Sequence, residues 1–125
     1  MIAVVGASRD ISKAAYAIPR QLQVYGFRII PVNPLAETIL GEKCYPTLAS
    51  IPEKVDFVNV FRPSHAAAQV VREAVAIGAP AVWLQQGIVS AEARGIAEEA
   101  GIDYVEDRCS ATERALGRID KREPA

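Results

Sequence analysis

The first ten residues constrain the fold of this chain more than any other stretch. Residues 2–5 read Ile-Ala-Val-Val, a short apolar run that predicts a buried strand. Gly6 ends the run, Ala7 and Ser8 follow it, and a helical pattern begins near Ala14. A strand, a glycine turn and a helix in this order form the first half of a βαβ unit. Because the N–H groups at the start of such a helix are unpaired, they provide a binding site for a phosphate group.

Four further stretches predict strands, and helical patterns separate them. The predicted strands are Phe27–Val32, Asp56–Phe61, Pro80–Gln85 and Asp103–Asp107. The predicted helices are Ala14–Tyr25, Ser64–Ile77, Ser90–Ala100 and Ser110–Arg118, and residues 33–48 are expected to form a loop that can include a short edge strand. This alternation predicts an α/β fold, a Rossmann-like doubly wound parallel sheet of about five strands in the order 3-2-1-4-5, with helices on both faces.

Length and composition narrow the class of protein. With 125 residues, the chain is expected to be a single domain spanning 1–125. A net charge of −1 and the lack of a basic tract argue against a nucleic-acid partner, and the apolar runs are too short to span a membrane. The two cysteines, Cys44 and Cys109, lie far apart and are expected to be reduced. Since the first strand begins at residue 2, we expect no signal peptide and a cytoplasmic location.

The predicted topology brings several short polar stretches to one edge of the sheet. In doubly wound sheets, ligands bind outside the carboxyl ends of the strands, where the strand order reverses, here expected between the first and fourth strands. The stretches at that edge are Gly6-Ala7-Ser8, Asn33-Pro34, Phe61-Arg62 and Gln85-Gln86-Gly87, with Arg108-Cys109 after the fifth strand. These residues are the candidate ligand site.

A dinucleotide such as NAD fits these residues poorly. Of the G-x-G-x-x-G pattern only Gly6 is present. The second strand ends in Asn33-Pro34, where a site for NAD would have a carboxylate to bind the adenosine ribose. The candidate site therefore favours a phosphate-containing ligand other than NAD.

The sequence offers no convincing catalytic or metal-binding set. Ser8 has no evident base to activate it, and His65 is the only histidine. One histidine and two distant cysteines do not make a zinc site. Cys109 stands just before a predicted helix and beside Arg108, a setting that lowers the pKa of a thiol, but a small buried residue is the alternative interpretation. We therefore expect a binding protein and not an enzyme.

Seven segments together carry a resemblance to a known family. In chain order they read VVGAS, FRIIPVNP, LGEKCYPTLASIP, VDFVNVFRP, AIGAPAVWLQQGI, AEEAGI and EDRC. The chain resembles the small stand-alone CoA-binding domain proteins of bacteria and archaea, and it is similar to the CoA-binding domain of the succinyl-CoA synthetase α subunit. The resemblance implies a Rossmann-like domain that binds coenzyme A or an acyl-CoA. The second domain of the synthetase and its phosphorylated histidine have no counterpart here, so its activity is not implied.

The resemblance also implies a role for individual residues. The CoA phosphates are expected to contact Gly6, Ala7 and Ser8, and the adenosine is expected to lie beside Asn33 and Pro34. The opposite wall of the site is expected to consist of Phe61, Arg62, Gln85 and Gly87, and Cys109 is expected to face the pantetheine end. Many family members carry a basic residue after Asn-Pro, where this chain has Leu35. Arg9 and Lys13 are therefore the predicted contacts of the 3′-phosphate, with Arg62 as a further candidate.

Two other functions stay open at this point. One is a regulatory domain that senses CoA and acts on a protein partner. The other is an enzyme with a nucleotide cofactor, NAD(P), and unrecognised catalytic residues. A protein partner or a homo-oligomer is compatible with the sequence.

Overall fold

A five-stranded parallel sheet forms the centre of the molecule. The computed structural model describes residues 1–110. The strands of the main sheet are β1 (Ile2–Val5), β2 (Ile29–Val32), β5 (Phe57–Val60), β6 (Ala81–Leu84) and β7 (Asp103–Val105). The helices are α1 (Ala14–Val24), α2 (Ser64–Ala76) and α3 (Ala91–Ala100), and β3 (Thr38–Ile39) and β4 (Glu42–Lys43) form a separate antiparallel hairpin.

The Rossmann-like α/β class is confirmed, but the predicted strand order is wrong. The sheet runs β2-β1-β5-β6-β7, which is the order 2-1-3-4-5 when its strands alone are counted. Strand β5 pairs directly with β1, with Ile2 opposite Phe57 and Val5 opposite Val60. The connection from β2 to β5 passes over the sheet, and Leu48 in it is buried in the same cluster as α2. Strand patterns do not indicate on which side of β1 such a crossover ends, so the sequence could not decide between the two orders.

Alternating side chains of the strands build two cores, one on each face of the sheet. Ala3 and Val5 of β1, together with the residues of β2, β5 and β6 that point to the same face, pack against α2 and α3. Ile2 and Val4 pack on the opposite face, in a cluster with Leu22 of α1. This alternation is the ordinary consequence of the two-residue period of a strand, and the burial of β1 on both faces explains why its sequence is uniformly apolar.

The region between β2 and β5 is more regular than expected. The predicted loop 33–48 contains the hairpin β3–β4, and Tyr45 forms a parallel bridge with Val32. Thr47 caps a short 3₁₀ turn at Leu48–Ser50. The predicted fourth helix lies outside the described residues except for Ser110, and within the described residues no helix is long and apolar enough to cross a membrane.

Candidate functional site

The candidate site is a cleft of about 650 Å³ at the carboxyl ends of β1, β2 and β5. It is lined by Val5, Gly6, Ala7, Ser8, Lys13, Ala15, Val32, Asn33, Pro34, Leu35, Pro46, Thr47, Leu48, Phe61, Arg62, Ala66, Gln69, Val70 and Glu73. Because β1 and β5 are neighbours, the point where the strand order reverses lies between them, and the cleft opens there.

Gly6 lets two strand ends approach each other closely. Its φ is +87°, and a Cβ placed on it would lie 3.2 Å from the carbonyl carbon of Phe61 and 3.4 Å from Cδ of Arg62. The N–H of Phe61 donates to the carbonyl of Val5 at 2.9 Å, which fixes this approach. Both the backbone conformation and the space therefore require glycine.

Asn33 joins the ends of β1 and β2. Its amide nitrogen donates to the carbonyl oxygen of Ala7 at 2.9 Å, and its amide oxygen accepts from the N–H of Leu35 at 2.8 Å. The N–H of Gly6 also donates to the carbonyl of Val32 at 3.1 Å. The side chain of Asn33 is thus engaged in holding the glycine loop, and it lines the cleft as a structural clamp.

A proline inside α1 fixes the other side of the glycine loop. Pro19 has no N–H, so the carbonyl of Ala15 lacks the donor that an α-helix normally supplies four residues later. The N–H of Ser8 donates to this carbonyl instead, at 3.1 Å. The proline that looks unfavourable in the sequence therefore creates the acceptor that anchors the loop.

The start of α1 is open toward the cleft. Asp10 accepts hydrogen bonds from the hydroxyl and the N–H of Ser12, which lower the pKa of its carboxyl group. No acidic residue stands in the first turn of α1, and Ala15 of that turn lines the cleft. The unpaired N–H groups and the positive end of the helix dipole favour an anion here.

Two cations lie at the mouth of the cleft. Lys13 precedes α1 and Arg62 follows β5, and both are exposed. Within residues 1–110 neither side chain forms an ion pair or a hydrogen bond. Arg9, which the sequence placed beside Lys13, is exposed and is not part of the cleft lining.

The structure does not bring Gln85, Gly87 and Cys109 into the cleft. Gln85 is 4% exposed, and its side-chain amide bonds to the side chains of Asn59 and Ser110, both fully buried. We call these three residues the buried amide network. The N–H of Gly87 donates to the carboxylate of Asp107, and Cys109 is a half-buried free thiol.

Trp83, which lies in β6 two residues before Gln85, is a core residue. It is 8% exposed, and its indole N–H donates to the carbonyl of Arg108 at 2.7 Å. The segment after β7 is therefore held onto β6 by hydrogen bonds of its own.

The sequence interpretation missed one whole wall of the cleft. Ala66, Gln69, Val70 and Glu73 line it from α2, and residues 46–48 face them. Their spacing of three and four residues places them on one helical face, but the same spacing is typical of a core face. The polar residues Gln69 and Glu73 were the signal in the sequence that this face of α2 is not entirely core. The predicted strand order did not put β5, and with it α2, directly beside β1 and the glycine loop.

Comparison with known proteins identifies the family. A family model described as a CoA binding domain matches residues 1–115. The chain belongs to this family of CoA-binding domains.

Individual relatives agree with this assignment. The chain is 38% identical over 108 residues to YneT of Bacillus subtilis, an uncharacterized protein, covering 86% of this chain and 80% of YneT. It is 40% identical over 74 residues to the ADP-forming acetate–CoA ligase II of Archaeoglobus fulgidus, which is 58% of this chain but only 11% of the ligase. A hypothetical protein from Pyrococcus horikoshii has the same fold, with a TM-score of 0.89, 36% identity, and coverage of 92% of this chain and 81% of that one.

Proposed function

We propose that this protein binds coenzyme A or an acyl-CoA in the cleft between β1, β2 and β5, without catalysing a reaction on it. Family membership supports the ligand class. The structural support is the position of Lys13 and Arg62: both line the cleft beside the start of α1, and within residues 1–110 neither side chain forms an ion pair or a hydrogen bond.

The two kinds of phosphate in CoA match two kinds of donor at this mouth. The pyrophosphate suits the backbone N–H groups at the start of α1, beside the glycine loop. The 3′-phosphate projects from the ribose and needs side-chain donors, which Lys13 and Arg62 supply. We assign the contact with the 3′-phosphate to Arg62 and not to Arg9, because Arg62 lines the cleft and Arg9 does not.

The lining of the cleft favours binding without catalysis. The described lining contains no histidine and no cysteine. Ser8 lines the cleft, but its hydroxyl accepts a hydrogen bond from the N–H of Asp10, so it serves the loop. These contacts favour a site that holds its ligand.

Titration calorimetry with CoA, dephospho-CoA and NAD tests the proposal. CoA is expected to bind and to stabilise the fold by about 2.7 kcal/mol at a hundred times its Kd, and NAD to have a much smaller effect. The double variant Lys13→Ala/Arg62→Ala should weaken CoA binding about tenfold more than dephospho-CoA binding, since partly shielded charge-assisted bonds contribute about 1.5–3 kcal/mol.

The matched control is Arg20→Ala/Lys54→Ala, which removes the same charge from exposed positions outside the cleft lining. It should leave both affinities nearly unchanged. Equal stabilisation by NAD would contradict the proposed ligand class. Equal losses for CoA and dephospho-CoA in the Lys13/Arg62 variant would instead assign these side chains to the pyrophosphate.

A further inference from the structure

The cleft continues as a groove along one face of α2. Ala66, Gln69, Val70 and Glu73 line it, each three or four residues from another. With a rise of 1.5 Å per residue, the distance along the helix from Ala66 to Glu73 is about 10 Å. The groove therefore extends well away from the mouth.

The walls of this groove combine apolar and polar residues. Pro46 is apolar and exposed, and Leu48 and Val70, at 2% and 5% exposure, line the groove with only a small part of their apolar side chains. Among residues 1–110, the polar lining on this side consists of Thr47, Gln69 and Glu73. An apolar slot with a few polar groups is the usual form of a small-molecule site.

Glu73 is the unexplained charge of the groove. It is half-buried, and within residues 1–110 its carboxylate forms no ion pair or hydrogen bond. Glu53 and Glu92, by contrast, pair with arginines at 2.8 and 2.7 Å. Burying even part of an unpaired carboxylate is unfavourable, so a ligand that brings a hydrogen-bond donor would relieve this cost.

We propose that the carboxylate of Glu73 accepts a hydrogen bond from the exocyclic amino group of the adenine of CoA, and so selects the base. This inference rests on the proposed CoA-binding function. The phosphates cannot be the partners of Glu73, because like charges repel, and they have Lys13 and Arg62 at the mouth. Arg62 precedes α2 by two residues, whereas Glu73 lies in its third turn, so phosphate and base have separate ends of the site.

The test exchanges the base and the side chain together. Calorimetry compares CoA with the CoA analogue that carries hypoxanthine, in which a carbonyl oxygen replaces the amino group. The wild type should prefer CoA by about tenfold or more, the value of one charge-assisted bond. Glu73→Gln should abolish or reverse this preference, because a glutamine amide can donate to the hypoxanthine carbonyl as well as accept from adenine.

The control is Glu99→Gln, an exposed glutamate on α3, which should keep the wild-type preference. Thermal unfolding of each variant confirms that the fold is intact. Binding of both ligands with equal affinity by the wild type, or an unchanged preference in Glu73→Gln, would overturn the role of Glu73 while leaving the CoA site standing. Failure of the wild type to bind either ligand would overturn both proposals.

Discussion

Two regions at the same edge of the sheet differ sharply in how they use their polar groups. At the cleft, the exposed side chains of Lys13 and Arg62 form no ion pair or hydrogen bond within residues 1–110. Near the ends of β5 and β6, the three residues of the buried amide network, Asn59, Gln85 and Ser110, form hydrogen bonds to one another. The first region leaves its charged groups exposed, and the second is closed by its own hydrogen bonds.

The difference follows from the directions in which the helices leave the sheet. After β1 the chain enters α1 on one face, and after β5 it enters α2 on the other. The loops diverge and leave a gap between these two strands. Helices α2 and α3 both pack on the same face, against each other, and among residues 1–110 the buried amide network bridges the ends of β5 and β6. Position at the carboxyl edge is therefore not sufficient for a binding site; the reversal of strand order is also needed.

The largest expected effect is that of closing the gap at Gly6. Gly6→Ala should abolish CoA binding and destabilise the fold, because the backbone conformation costs about 1–2 kcal/mol for a residue with a Cβ and the contact with Phe61 adds about 1–3 kcal/mol. Calorimetry and chemical unfolding measure the two losses.

Gly78→Ala is the matched control for this change. Gly78 has a φ of +78°, but a Cβ there would meet nothing within 4 Å. It should show the backbone cost alone and retain binding. If Gly6→Ala were no more harmful than Gly78→Ala, the close approach to Phe61 would have no role in the site.

The second effect should separate stability from binding. Gln85→Leu leaves the buried side-chain oxygen of Asn59 and the N–H of Ser110 without the hydrogen bonds that Gln85 supplies, although Asn59 and Ser110 still bond to each other. It should lower the free energy of unfolding by about 2–4 kcal/mol. Since Gln85 does not line the cleft, CoA affinity should change less than twofold.

Gln86→Leu, at the exposed neighbouring position, should affect neither quantity. A loss of CoA affinity in a folded Gln85→Leu protein would show that the ligand reaches the β6 end. The two regions would then be parts of one site, as the sequence and the family resemblance predicted.

The sequence was informative wherever local patterns determine structure. The apolar run of β1, the glycine at its end and the alternation of strands and helices were enough to predict the Rossmann-like class and the glycine loop. The order of the strands depends on the direction of the crossover between β2 and β5, which no local pattern encodes. With that order missing, Arg62 was predicted at the same edge of the sheet but not as the direct neighbour of Gly6, and Glu73 was not predicted in the site at all. The partners of Gln85 were also out of reach, because Asn59 and Ser110 are distant in sequence and meet only in the folded core.

The smallest expected effect concerns the proline in α1. Pro19→Ala restores an N–H that can donate to the carbonyl of Ala15, where it competes with the N–H of Ser8. We expect the glycine loop to loosen and CoA affinity to fall about threefold, less than the loss of one net hydrogen bond of about 1 kcal/mol would cause. Hydrogen exchange provides the specific readout: the Ser8 amide should exchange faster in Pro19→Ala than in the wild type. Pro52→Ala, at an exposed position outside the helices, should leave that amide unchanged. Unaltered Ser8 protection in Pro19→Ala would mean that the loop holds its position without the carbonyl that the proline sets free.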